Sequence, residues 1–191
     1  MIADQKRPQM TPAEYLGWES HQEFRYEYSD GEVFAMAGGT KHHDRIAFNL
    51  RRAIVDRADE QQCNTSGSDV KVMVQQGRFY RYPDLSVSCD DRDRRNETFY
   101  EFPSLIGEVL SASTEIIDRN RKFQEYIEIP TLQEYILVSA EQVQVECFRR
   151  GEGRMWLYFP YKAGEIVRIE SMDLDLPIEQ LYQNVRLEAG D

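Results

Sequence analysis

Two apolar runs of this chain each contain an acidic residue, and this feature most constrains the fold. The first run spans residues 79–88 and contains Asp84 directly after Pro83. The second spans residues 105–111 and contains Glu108. Both runs have the composition of buried β-strands, in which a carboxylate is costly unless it is paired or binds a cation. Two such carboxylates on neighbouring strands predict a site for a hard cation such as Mg²⁺, which prefers oxygen ligands.

The surroundings of each acid leave a structural alternative open. The two-residue period of a strand puts Glu108 on the same face as Ile106 and Leu110. Such a residue is either a functional carboxylate or half of a structural ion pair, and we favour the functional interpretation because perturbed acids cluster at sites. Pro83 is tolerated at the ends, edges or bulges of a sheet. It therefore predicts either a bend that turns Asp84 into a cleft or an edge-strand Asp84 that faces water.

Periodicity and turn signals predict a mixed α/β (α+β) fold with a central mixed sheet, flanking helices and extra C-terminal antiparallel strands. Thr11, Pro12 and Glu14 form a capping signal at the start of the first helix. We predict helices at 11–20, 43–58 and 118–129. We predict strands at 24–28, 32–36, 68–74, 79–88, 105–111, 134–139, 142–149, 154–161 and 165–169. The length predicts one domain, 1–191.

Charge and cysteine content exclude some classes of protein. The formal net charge of −11 argues against a general nucleic-acid binder but not against a nuclease, whose metal site needs acids. A basic rim could still contact a nucleic acid, with Arg51 and Arg52 as its weaker members, although each cluster taken alone is better explained as a solvated surface run. Its main members would be Arg92, Arg94, Arg95, Arg119, Arg121 and Lys122.

The three cysteines show neither metal-ligand spacing nor a disulfide framework, so we expect reduced thiols. Without a membrane span or secretion signal, we expect a cytoplasmic protein.

Three further residues are candidates for the same site. Lys122 lies four residues after Asp118 and either pairs with it on a helix surface or points back to the acids. In the second case it would orient a water molecule and stabilise developing phosphoryl charge. Glu32 follows a hairpin turn and is either a third acid or a surface residue. His43 opens a helix and is either a metal-shell or proton-transfer group or a helix-terminal imidazole.

An ordered set of segments resembles the Uma-type restriction endonuclease family of the PD-(D/E)XK nuclease superfamily. The segments are 26–32, 39–40 with His43, 82–87, 108–114, Asp118 with Lys122, and 129–135. The resemblance runs from about residue 11 to about residue 182 and implies a restriction-endonuclease-like fold.

The resemblance also implies an activity and a set of site residues. The activity is Mg²⁺-dependent hydrolysis of a DNA phosphodiester, with Mn²⁺ as a substitute ion. Asp84 and Glu108, with the backbone carbonyl of Val109, would hold the metal. The superfamily's lysine normally follows the second acid by two residues, but Leu110 stands there and Lys122 fits the displaced position. Glu32 would hold a second ion or orient its waters.

Two alternatives of other classes stay open. The first is a catalytically inactive, nuclease-like protein that binds nucleic acid, which the displaced lysine and the acidic charge would suit. The second is a homo-oligomeric scaffold, such as a homodimer, in which the acids form ion pairs. The late strands between residues 134 and 169 would build its subunit face, or else belong to the core.

Overall fold

The computed structural model of the chain describes residues 9–36, 38–111, 115 and 117–187. The helices are α1 (Pro12–Glu19), α2 (Lys41–Glu60) and α3 (Phe123–Tyr126), and a π-helical turn (Ile117–Lys122) leads into α3. The strands are β1 (Tyr26–Ser29), β2 (Glu32–Ala35), β3 (Asn64–Ser66), β4 (Lys71–Val74), β5 (Phe79–Arg81), β6 (Leu85–Ser88), β7 (Phe99–Tyr100), β8 (Leu105–Leu110), β9 (Glu134–Ser139), β10 (Gln144–Arg150), β11 (Trp156–Lys162), β12 (Ile166–Ile169) and β13 (Leu174–Pro177).

The strands form two main sheets and a separate hairpin, which confirms the mixed α+β class. A five-stranded sheet has the order β2-β1-β5-β4-β7, and a six-stranded sheet has the order β11-β10-β9-β8-β6-β3. Most pairs are antiparallel, whereas β4 with β7 and β8 with β9 are parallel. The prediction of extra C-terminal antiparallel strands is confirmed by β10, β11 and the hairpin β12–β13.

The run at 79–88, predicted as one strand, belongs to both sheets. It pairs as β5 with β1 and β4 in the smaller sheet, and as β6 with β3 and β8 in the larger one. Pro83 and Asp84 lie at the change between the sheets, where Pro83 needs no ladder partner because it has no N–H. The single-strand prediction is therefore wrong, and the proline marks the bend that carries Asp84.

Strand β8 is buried on both faces and separates two cores. Leu105 and Val109 face a core built on α2, whereas Ile106 and Leu110 face a core that α3 and the smaller sheet share. Gly107 lies on the α2 face, where a Cβ would stand 3.0 Å from a methyl group of Leu50. The alternation predicted for this strand is confirmed, and it leaves Glu108 inside the second core.

The cysteines differ from what their spacing predicted. Cys63 and Cys89 form a disulfide that joins the residue before β3 to the residue after β6, and Cys147 is free and buried. The expectation of three reduced thiols is therefore wrong, because it rested on spacing along the sequence and not on strand pairing.

Among the late strands, β9 is almost wholly buried, whereas Leu157 and Tyr158 of the edge strand β11 are exposed. In the described part of the chain, no helix is long and apolar enough to span a membrane.

Candidate functional site

Asp84 lies where the chain enters β6, opposite Glu108 on β8. The register pairs Leu85 with Gly107, so the preceding position falls beside Glu108. Asp84 Oδ2 accepts a hydrogen bond from the backbone N–H of Val109 at 2.8 Å. Most of the side chain is buried, with 11% exposed. The main chain of the second strand thus fixes the carboxylate carried by the first.

His43 contacts the same carboxylate from the first turn of α2. Its Nε2 lies 3.2 Å from Asp84 Oδ2. Thr40 caps the helix by accepting from the His43 N–H, and Gly39 leaves room for the imidazole ring, since a Cβ there would lie 3.0 Å from Nδ1. The hydrogen bond to Asp84 raises the pKa of His43 against the opposing effect of burial. The contact with Asp84 therefore favours the charged form of His43.

Glu108 is a buried acid with two donors. Lys122 Nζ and the Tyr126 hydroxyl each donate to its Oε1 at 3.1 Å. Burial raises the pKa of the Glu108 carboxyl well above its usual range; the Lys122 ammonium lowers it, and the Asp118 and Asp84 charges raise it further. The site thus holds a carboxylate that an added positive charge would stabilise.

Lys122, at the end of the π-helical turn, is the cation of this cluster. Besides Glu108, its Nζ lies 3.1 Å from Asp118 Oδ1 and 3.4 Å from Glu27 Oε1. Burial alone lowers the pKa of the ammonium, but the charges of Glu108, Glu27 and Asp118 outweigh it, and the pKa lies above its ordinary value. Lys122 is therefore protonated throughout the physiological range. Lys122 contacts both Glu108 and Asp118, so the two alternatives that its spacing left open do not exclude each other.

Glu27 on β1 is the residue of this cluster that sequence reasoning missed. Arg81 on β5 contacts Glu27 at 3.3 Å and holds Glu125 with two hydrogen bonds of 2.7 and 2.8 Å. Glu32, the acid predicted from the same hairpin, is exposed at the start of the edge strand β2, opposite Ser29 and outside this cluster. The available signal was strand alternation, because Glu27 lies between two tyrosines that face the other side of β1.

The donor set suits a hard cation. In the described part of the chain, both donors to Glu108 bind Oε1 and both groups on Asp84 contact Oδ2, so each carboxylate keeps a second oxygen with which it would help to hold a metal. The described residues contain no group of three or more His, Cys, Asp and Glu arranged to hold a metal. Mg²⁺ commonly binds one or two carboxylates and completes its shell with water and substrate phosphate. Asp84, Glu108 and the Val109 carbonyl fit that pattern.

Comparison with known proteins identifies the family of this chain. The family model Uma2, described as "Putative restriction endonuclease", matches residues 12–179. This chain belongs to the Uma2 family. The recognised resemblance is thereby confirmed over nearly its whole predicted extent. Residues 112–114, which lie in one of the segments that carried it, fall outside the described residues.

Relatives of this Uma2 protein occur in Synechocystis. "Uncharacterized protein slr1290" is 36% identical over 178 residues, which cover 93% of this chain and 94% of that protein. "Uncharacterized protein sll1609" is 34% identical over 150 residues, covering 78% of this chain and 85% of the relative. A crystal structure described as a putative nuclease belonging to DUF820 from Anabaena variabilis matches with a TM-score of 0.75 and 18% identity. It covers 91% of this chain and 98% of its own, so the two share a fold.

Proposed function

We propose that this Uma2 protein is a metal-dependent endonuclease that hydrolyses DNA phosphodiester bonds in the cytoplasm. One observation supports the proposal most directly. At the junction of β6 and β8, Asp84 is bound to the main chain of β8 next to Glu108, and Lys122 donates a hydrogen bond to Glu108. The membership of the family described as "Putative restriction endonuclease" supports the same activity. Buried acids beside one lysine are a costly arrangement for a purely structural role.

The acids would hold the metal and the lysine would hold the reacting groups. Asp84, Glu108 and the carbonyl of Val109 are the proposed ligands, and a bound Mg²⁺ would supply charge that polarises the phosphoryl oxygen and acidifies a water molecule. Val109 N–H and His43 fix the orientation of Asp84. The raised pKa of Lys122 supports a role as a protonated donor to the attacking water or the phosphate, and not as a base.

Glu27 is proposed as a positioning residue in place of Glu32. It lies between Lys122 and Arg81, so it restrains the ammonium without reaching the strand junction itself. Glu27→Gln should lower kcat with little effect on KM, whereas Glu32→Gln should leave both near wild type. A lower kcat in Glu32→Gln with unchanged kinetics in Glu27→Gln would return Glu32 to the site and remove Glu27.

The first test is a calorimetric Mn²⁺ titration of wild type, Glu108→Ala and Glu32→Ala. We expect saturable binding in wild type and Glu32→Ala, and its loss in Glu108→Ala. Cleavage of mixed DNA substrates should disappear in Asp84→Ala, Glu108→Ala and Lys122→Met while circular dichroism reports a folded protein. Cleavage by Asp84→Ala at the wild-type rate would contradict the proposal, and DNA binding without cleavage by wild type would favour the inactive binder.

A further inference from the structure

A cleft of about 420 Å³ opens beside Asp84, between α2 and the segment after β3. Arg45, Phe48 and Arg51 line it from the helix, and Gly67 lines it from the other side. Asp44, Phe48 and Arg51 are four and three residues apart, so they share one face of α2. His43 lies on the neighbouring face and contacts Asp84. The cleft therefore reaches the strand junction from the solvent.

No carboxylate of the described residues neutralises the two arginines of this cleft. Arg45 and Arg51 are exposed, and within the described ranges neither forms a salt bridge. The Arg51 guanidinium lies against the Cα of Gly67, and a Cβ there would also be 3.5 Å from the Asp84 carbonyl oxygen. The charge of Arg51 is thus held next to the main chain of a proposed metal ligand.

Arg45 and Arg51 differ from the other charged residues of the cleft and of the predicted basic rim, most of which are paired within the protein. Of the two other carboxylates that line the cleft, Asp69 is paired with Arg25, and Asp44 is exposed at the start of α2. Most arginines of the basic rim predicted from the sequence are instead committed to carboxylates of the protein. These are Arg92 with Asp90, Arg94 with Asp91, Arg119 with Glu115 and Glu146, and Arg121 with Glu125.

Phe48 adds an aromatic surface between the cations. Its side chain is 42% exposed, and the Cζ atoms of Arg45 and Arg52 lie 5.5 and 5.7 Å from the ring centroid. An isolated exposed phenylalanine is unremarkable on a protein surface. An exposed ring beside guanidinium groups, in the cleft that leads to Asp84, combines the stacking surface and the positive charge with which proteins bind single strands.

We propose that this cleft binds single-stranded DNA, with one base stacked on Phe48 and adjacent phosphates on Arg45 and Arg51. The inference rests on the proposed function and names the substrate form of the same site. Stacking on the ring requires an unpaired base, and a cleft of this volume is of the size that encloses a small ligand such as a nucleotide. The net charge of −11 provides no general attraction for DNA, so binding depends on this local surface.

The test is the binding of a fluorescent single-stranded oligodeoxynucleotide, followed by anisotropy in EDTA so that metal-dependent cleavage cannot occur. Phe48→Ala should raise Kd about tenfold, since a stacked base contributes on that scale, and Phe48→Trp should restore binding. Arg45→Gln and Arg51→Gln should each reduce the slope of log Kd against log salt by about 0.7. Phe24→Ala and Arg154→Gln are matched controls, since Phe24 is 65% exposed and Arg154 is exposed on a turn before β11.

Each other outcome overturns the inference. These are an unchanged Kd in Phe48→Ala, duplex DNA bound more tightly than the single strand, RNA bound equally well, or no saturable binding by wild type. Cleavage separates the two proposals. Phe48-dependent binding without cleavage in Mg²⁺ or Mn²⁺ would remove the proposed activity and leave the single-strand site. Cleavage that does not depend on Phe48 would support the proposed activity and remove the single-strand site.

Discussion

Replacing the buried acid Glu108 by glutamine should stabilise the metal-free protein while abolishing its activity. Lys122 faces three carboxylates, those of Glu108, Asp118 and Glu27, so the cluster carries an excess of negative charge when all are ionised. Glutamine keeps the shape and an oxygen that accepts from Lys122 and Tyr126. It removes the charge whose burial is unfavourable, and Lys122 retains two carboxylate partners.

The pH dependence of this effect follows from the direction of the pKa shift. The folded pKa of Glu108 lies well above the ordinary 4.5, so the stability it contributes is complete below that pH and is lost as the pH rises through the folded pKa. Replacing buried ionic groups by neutral groups of similar volume often stabilises a protein by about 1–4 kcal/mol. We therefore expect Glu108→Gln to raise the free energy of unfolding by an amount in this range near pH 8, and the gain to shrink below about pH 4.

Urea unfolding in EDTA, at both pH values, measures the effect. Glu125→Gln is the matched control, because Glu125 is also buried but its charge is satisfied by two hydrogen bonds from the buried Arg81. That variant should lose about 3 kcal/mol. The same substitution should thus change stability in opposite directions at the two positions. A loss in Glu108→Gln as large as in Glu125→Gln would refute the reasoning that excess charge governs the cluster.

Two further predictions concern the scaffold around β6 and β8. Gly107→Ala should lower stability by about 1–3 kcal/mol, because its Cβ would lie 3.0 Å from Leu50 Cδ2 and 3.3 Å from Leu85 Cβ; an unchanged thermal midpoint would contradict this packing. Reducing the Cys63–Cys89 disulfide, which closes a separation of 26 residues, should cost about 3 kcal/mol in urea unfolding. Equal midpoints with and without reductant would show that the pairing of β3 with β6 suffices.

The sequence predicted the parts of the fold that local signals determine. The capping box of Thr11 and Glu14 and the hairpin turn before Glu32 were recognisable, and both are present. The alternation that separates Glu108 from Gly107 was readable for the same reason. These features depend on residues a few positions apart, where spacing along the chain and spacing in the fold coincide.

What the sequence did not reveal depends on which strands become neighbours. Glu27 reaches Lys122 because β1 pairs with β5, and the Cys63–Cys89 bridge depends on the pairing of β3 with β6. Strand order in a sheet is set by tertiary packing, so alternation identified strands without identifying their partners. The proline before Asp84 indicated a bend, but not that the chain would change sheets there.

The wide spacing of the cluster along the chain has a consequence for the order of events during synthesis. Glu27 is made early and Lys122 much later, and β8 completes its pairing only when β9 arrives to lie parallel to it. Domains generally fold as units as the chain emerges, and contacts of high sequence separation form slowly. A nascent chain that ends before β9 has all the acids and the pairing of β6 with β8, but β8 still lacks its parallel partner. The cluster can therefore form before its supporting sheet is complete, and β9 closes that sheet only after more than 130 residues have been made.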